Sequence, residues 1–286
     1  MNEQKITGPL FQQMVIEGAL AIAEKKEAAN ELNVFPVPDG DTGTNMYMTM
    51  HAAQEEMERL TDPTLEKAVE QTASALLRSA RGKSRVILSL LFRGIAKKLR
   101  EKESADGCDL ALALREGVDT AYKAVMKPAE GTILTVTRVA AQYAVELCQA
   151  EPDLPVENVL SAILERGQIA LGETTHQNPV LEKAGVVDAG AFGLLAILSG
   201  MFDAFRGIHR ERQVTAEFSG PSSADFSAIS DEDITFTYCT EFIAERKDKA
   251  RNIGRMRTLL SEIGDSLVVV EDDDIVKVHV HTDQPN

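Results

Sequence analysis

From Leu10 the apolar positions fall as Leu10 and Phe11, Met14 and Val15, Gly18 and Ala19, Ile22 and Ala23. That three-to-four spacing predicts a helix with one buried face. It recurs over Leu65–Arg78, Val86–Leu99, Leu110–Val125, Ile133–Leu147, Val156–Leu171 and Leu194–Phe205. Pro63 and Pro155 stand near helix starts, where a missing N–H costs nothing. No stretch before about Arg210 alternates as a strand does. The pattern predicts an all-α domain of roughly eight helices over residues 1–210.

Residues 211–233 change character. Phe218–Asp225 is small and polar, which predicts a linker. The period then shortens to two. Ile234–Tyr238 alternates, Arg251–Ile263 reads as a helix, Ser266–Val270 is an apolar run, and Ile275–His281 alternates again. Asp272–Asp274 between the last two strands predicts a solvated turn. Residues 234–286 thus read as β-α-β-β, about half of a small domain. The expectation is a mainly α chain: a helical domain followed by a partial α/β domain, cut short at Asn286.

Composition narrows the function. Of 286 residues, 44% are hydrophobic and 26% charged, as in ordinary globular proteins. The 30 Lys and Arg against 45 Asp and Glu give a net charge of −15. That field repels phosphate backbones and anionic membrane surfaces, so no nucleic-acid partner is expected. An anionic substrate therefore needs a local basic group or a metal. Cys108, Cys148 and Cys239 are too widely spaced for a disulfide framework and suit a reducing cytoplasm. There is no signal-peptide pattern and no membrane-spanning apolar run.

The segment Asn33-Val-Phe-Pro-Val-Pro-Asp-Gly-Asp-Thr-Gly-Thr-Asn-Met46 carries the strongest chemistry. Pro36 and Pro38 stiffen it, and Gly40 and Gly43 let it turn back. Asp39 and Asp41 then present two hard carboxylates, which suits Mg2+ and substrate phosphates. Thr42, Thr44 and Asn45 add hydroxyl and amide groups near a helix N-terminus, where phosphate is favoured. A solvated Asx turn with Asp39 as a cap is the plainer reading. An EF-hand is excluded, because its sixth position is Thr44 and its twelfth Met50. Gly82-Lys83-Ser84 fails as a P-loop end, because the required earlier Gly is Leu77.

In Val276–His281 the valines 276, 278 and 280 share one strand face, and Lys277, His279 and His281 share the other. Two imidazoles at that spacing can close on one metal. Cys239 could add a thiolate if its strand is a neighbour, giving a set that suits Zn2+ with an open fourth position. Solvated histidines are the alternative. Glu241 is either a further ligand, an acid/base or a solvated side chain.

The Asn33–Met46 string resembles the DhaL-type kinase domain of dihydroxyacetone kinases and, more closely, the ATP-binding subunit of bacterial fatty acid kinase. The likeness continues through Val125–Val136, Gly185–Gly190 with Gly193, Tyr238–Glu241, Gly264–Val270 and Val276–Thr282. It implies an eight-helix barrel holding Mg-ATP at one rim, with Asp39 and Asp41 on the magnesium. Asn33 stands where dihydroxyacetone kinases have a third Asp. Thr42, Thr44, Asn45 and Ser84 would lie by the phosphates, Thr132 and Thr135 near the nucleotide, and Asp188 and Gly190 near its ribose or base. For Thr132, Thr135 and Asp188, helix capping is the alternative. The likeness also implies zinc at Cys239, His279 and His281.

Two segments depart from the family pattern. Ser79–Ser89 has Lys83 for Asn and Arg85 for Gly, which either hinders close approach of backbone to phosphate or adds useful cations. Gly190-Ala-Phe-Gly193 replaces Gly-Gly-Gln-Gly, with Phe192 expected in the core. The resemblance implies phosphoryl transfer from ATP to a fatty acid carboxylate presented by a separate binding protein, with a place in phospholipid metabolism and a homodimer as one assembly. Transfer to a hydroxyl, as in dihydroxyacetone kinase, and a non-catalytic nucleotide-binding scaffold are the alternatives.

Overall fold

The computed structural model describes residues 5–80, 82–210, 236, 238–247, 252–271 and 275–285. The expected linker over 211–233, most of the strand expected over 234–238, Arg251 and the Asp272–Asp274 turn lie outside the described residues, as do Arg81 and the side chain of Lys83.

The helical part runs α1 (Gly8–Glu31), α2 (Thr42–Glu58), α3 (Leu65–Ser79), α4 (Lys83–Leu99), α5 (Gly107–Ala124), α6 (Ile133–Ala150), α7 (Val156–Gln177), α8 (Pro179–Ala184) and α9 (Ala189–Phe205). Their starts follow local chemistry. The Thr64 side chain accepts from Lys67 N–H ahead of α3, and Asp106 with Asp109 forms a capping box for α5. Asn178 and Asp188 cap α8 and α9. Among the described residues α2 and α4 have no side-chain cap; Asp41 and Gly82 precede them. Eight helices have 15 residues or more, as the spacing predicts. The additional α8 has only 6, too short to show a period.

Each long helix packs on the next, and α9 closes back on α1, so the eight form a ring. Phe11, Met14, Ile22, Met46, Met50, Leu76, Leu88 and Leu91 fill it, each almost fully buried. The contact of α2 with α1 is close. A Cβ on Gly43 would come within 2.0 Å of the Lys26 carbonyl, so only glycine fits there. At the far end, Glu17 is buried and meets His209 Nδ1 at 3.2 Å and the Arg210 N–H at 3.0 Å. The sequence shows no partner for His209; the fold supplies one 192 positions away.

The remaining elements are β1 (Tyr238–Glu245), α10 (Gly254–Ile263), β2 (Gly264–Glu271) and β3 (Ile275–Thr282). The β-α-β-β order is as expected, but β1 begins where the expected strand ends, and α10 begins at Gly254 rather than Arg251. In β1 the alternation is broken by Thr240 and Glu241, because one face lines a polar cavity rather than a core. The sheet is antiparallel in the order β1-β3-β2. One face, with Leu267, Val269, Val276, Val278 and Val280, packs with Leu260 of α10. The other docks on the barrel. Val268 and Val270 join the helical core, Val125 bridges to Val268, and Met126 N–H reaches Leu267 O at 3.3 Å. Each of these valines contributes up to about 1.5–3 kcal/mol of burial. No helix among the described residues is long and apolar enough to cross a membrane.

Candidate active site

Asn33 organises the Asn33–Met46 loop from within. It is buried, and its amide donates to Val37 O at 3.1 Å and to Asp39 Oδ1 at 2.6 Å. Its carbonyl accepts from the Thr42 hydroxyl at the first turn of α2. Both ends of the turn are thereby tied to one side chain. The Phe35–Pro36 peptide is cis, and Gly40 has φ 64°.

Asp39 and Asp41 emerge side by side. Asp39 is open to the cavity, yet the crowd of protein around it, and then the neighbouring Asp41 carboxyl, push its pKa up to about 6. Two carboxylates held together have unmet negative charge, which a divalent cation relieves. Asn45 also faces the cavity. Thr44 is placed differently: its hydroxyl accepts from Asn30 at 2.9 Å and its N–H donates to Asn30 at 3.0 Å. Sequence reading missed Asn30, which lies 14 positions upstream.

The cavity has a volume of about 730 Å3. Its barrel side carries Asn33, Asp39, Asp41, Asn45, Ser84 and Arg85, and its sheet side Cys239, Glu241, Lys277, His279 and His281. The two sites expected separately from the sequence therefore share one volume. Gly82, with φ 77°, turns the chain into α4. Arg85 is buried, and its guanidinium lies 3.6 Å from where a Cβ on Gly82 would stand. Arg85 has ordinary helical backbone within α4, so replacing a glycine there costs no left-handed strain.

A narrower cleft adjoins through Ser84. It is lined by Phe35, Pro36, Ile87, Thr132, Ile133 and Asp188. Gly190 stands beside it: a Cβ there would lie 3.2 Å from Ser84 Oγ and 3.3 Å from Asp188 Oδ1. Asp188 also caps α9, accepting from Ala191 N–H at 2.7 Å. Thr132 donates to Ala129 O at 2.8 Å. Thr135 accepts from Gly131 N–H at 2.9 Å and donates to Glu130 at 2.7 Å. Both hydroxyls serve the backbone at the start of α6. Burial alone raises the Glu130 carboxyl, but hydrogen bonds from Thr135 and Arg138 outweigh it and hold it low. Phe192 packs against the core.

On the sheet, register does the positioning. Cys239 pairs with His281, Glu241 with His279 and Ile243 with Lys277 across β1 and β3. Candidate ligand atoms of Cys239, His279 and His281 all lie within 4.8 Å of one another. Cys239 Sγ is 3.8 Å from His279 Nδ1, and His281 Nδ1 is 3.6 Å from Asp265. His279 is 2% exposed, and its Nε2 has no hydrogen-bond partner among the described residues. Burial pushes the Cys239 thiol up, helped by Glu241, Asp39 and Asp41. The acid pair and the thiol therefore feel one another across the cavity. Burial raises the Glu241 carboxyl as well, but hydrogen bonds from His279 and the Gly82 N–H, with charge from His279 and Lys277, bring it below its ordinary value.

Comparison with known proteins follows this division. Residues 36–203 match the DAK2 domain. The chain belongs to the DAK2-domain family. Membership of this kinase-like family implies ATP use, generally with Mg2+. Residues 235–286 match the middle domain of FakA-like fatty acid kinase proteins. Protein YloV of Bacillus subtilis is 39% identical over 293 residues, covering 100% of this chain and 53% of YloV. An uncharacterized protein of Staphylococcus saprophyticus is 41% identical over 293 residues, covering 98% of this chain and 52% of that protein. The chain thus spans about half the length of these relatives. The crystal structure of the dihydroxyacetone kinase of C. freundii aligns over 68% of this chain and 34% of that chain, at 21% identity and a TM-score of 0.48, too loose a likeness to carry function.

Proposed function

We propose that this DAK2-family chain binds Mg-ATP at the Asp39–Asp41 end of the cavity and passes the γ-phosphoryl group to a fatty acid carboxylate presented by a separate binding protein. The observation that carries this reading is the single cavity shared by the acid pair and the Cys239–His279–His281 face. Asp39 and Asp41 hold the cation, with Asn33 fixing the angle of Asp39. A magnesium ion there supplies charge neutralisation for the triphosphate. Ser84 and Arg85, at the start of α4, face the phosphates, and the Phe35–Ile133 cleft with Asp188 takes the nucleoside. The bond between γ-phosphorus and the ADP oxygen breaks, and one forms to the carboxylate oxygen, giving acyl phosphate and ADP. A carboxylate carries no proton to remove, so the barrel needs no general base, and positioning with charge compensation suffices.

The sheet face fits zinc. Its donor set is one thiol and two imidazoles, and His279 Nε2 is buried and unpartnered among the described residues. Bound there, zinc would supply a Lewis acid beside the acceptor. Cys239, His279 and His281 would hold it, with Glu241 steadying His279.

The test is incubation of the chain with Mg-ATP and a fatty acid on its binding protein, with hydroxylamine to trap acyl phosphate. Hydroxamate formation is the expected result; phosphorylation of dihydroxyacetone instead would overturn the acceptor. Arg85, buried where the family pattern has glycine, favours a second reading, nucleotide binding without transfer. ATP bound but not consumed would select it.

A further inference from the structure

The contact between Glu241 and the start of α4 is not explained by holding a nucleotide or a metal alone. One oxygen of the Glu241 carboxylate accepts from the Gly82 N–H and also lies 2.7 Å from His279 Nδ1. Gly82 stands at the N-terminus of α4, a helix with no acidic residue in its first turn and, among the described residues, no side-chain cap of its own. The open amides of such an end attract an anion. Here the anion comes from the sheet.

We propose that Glu241 is a positioning residue that occupies a phosphate position on Gly82 until nucleotide arrives, and so ties nucleotide binding to the Cys239–His279–His281 face. This rests on the nucleotide reading given above. A triphosphate anchored at Asp39 and Asp41 and extending toward α4 meets the Glu241 carboxylate. Like charges in a confined volume repel, so the carboxylate yields the Gly82 N–H. Yielding does not strand it, because its cross-strand neighbour His279 is already within hydrogen-bond distance. The sheet does not detach as Glu241 moves. Lys277, 2% exposed, donates to Leu77 O at 3.1 Å and to Ala80 O, carbonyls at the C-terminal end of α3. A buried ammonium is stable there because it faces the negative end of that helix. Lys277 therefore pins the turn before Gly82 while Glu241 is free to leave it.

Once released, Glu241 serves His279 alone. A carboxylate on Nδ1–H leaves the Nε2 lone pair for a ligand and makes it more basic. Nucleotide binding thus strengthens metal binding at the sheet face, and linkage requires the reverse as well.

The experiment compares the native chain with Glu241→Ala and Glu241→Gln. Calorimetric titration with Mg-ADP measures the nucleotide side. Cobalt titration, read by the thiolate-to-cobalt absorption band that only Cys239 at this face can give, measures the sheet side. Without added cobalt, Glu241→Ala should bind Mg-ADP about 5-fold more tightly or better, with Glu241→Gln between it and native. In the native chain Mg-ADP should tighten cobalt binding, and in Glu241→Ala that enhancement should vanish. Loss of a merely structural contact would weaken both ligands. Glu241→Ala affinity for Mg-ADP equal to or below native overturns the coupling alone. No Mg-ADP binding by the native chain overturns the nucleotide reading itself, and the coupling with it.

Discussion

The Asn33–Met46 loop and the β1–β3 face look at each other across one cavity, yet they are built by opposite means. The loop offers hard carboxylate oxygens and is held by short-range bonds: Asn33 to Asp39 and Thr42, and Asn30 to Thr44. The sheet face offers a thiol and imidazoles, placed by the register of two strands some 40 positions apart in sequence. A locally tied site can be damaged without disturbing its surroundings. The sheet face cannot be separated as cleanly, because Lys277 and Glu241 of that face also hold the turn between α3 and α4.

The largest effect expected is on the loop side. Asp41→Ala should abolish magnesium-dependent ATP binding, a loss of about 100-fold or more, since one of two charged ligands is gone. Helical circular dichroism should be unchanged, because the Asp41 side chain makes no cap on α2. An affinity equal to native would break the assignment of hard and soft ligands to the two sides. On the sheet side, His279→Ala should remove the cobalt–thiolate band while leaving Mg-ADP affinity within about 10-fold, the lower range of a coupling between sites. Equal loss of both would mean one indivisible site.

The next effect is on pH. Protonation of Asp39, with its pKa pushed up to about 6, removes a cation ligand. Magnesium-dependent ATP affinity should therefore fall as pH drops below about 6 and recover above it. Without cation the stability effect runs the other way. The fold favours the protonated carboxyl relative to its ordinary value of 3.8, so rising pH between about 4 and 6 costs stability. Asp39→Asn should raise the cation-free melting midpoint at pH 7 and leave it unchanged near pH 3. A rise of equal size at both pH values would show that charge is not the cause. The smallest effect belongs to Thr135, whose hydroxyl serves the start of α6. Thr135→Val should cost about 0.5–2 kcal/mol in thermal unfolding. Nucleotide affinity in calorimetry should change little; a large loss would move Thr135 from backbone support to ligand contact.

Much of this was legible in the sequence, for reasons that differ by residue. The eight long helices announce themselves through apolar spacing, whereas α8 is shorter than two turns. The division of β3 into valines and His279 with His281 follows from the period of two, and pairing with β1 supplies Cys239. Asp39 and Asp41 stand out because Pro and Gly flank them. The fate of Thr44 was hidden, because nothing in its spacing points to Asn30. Thr132 and Thr135 fit either a ligand or a cap, and their hydrogen bonds go to the cap. The roles of Lys277 and Glu241 on the α3–α4 turn were also illegible. They arise only when the sheet docks on the barrel, across 159 to 200 positions of chain.

The account turns on the cavity holding a magnesium nucleotide at the acid pair. Calorimetric titration of ATP into the folded chain, with and without Mg2+, tests that directly. The account predicts one site that binds ATP with Mg2+ and far more weakly without it. Binding that is indifferent to Mg2+, or absent from a chain of native helical content, would contradict it.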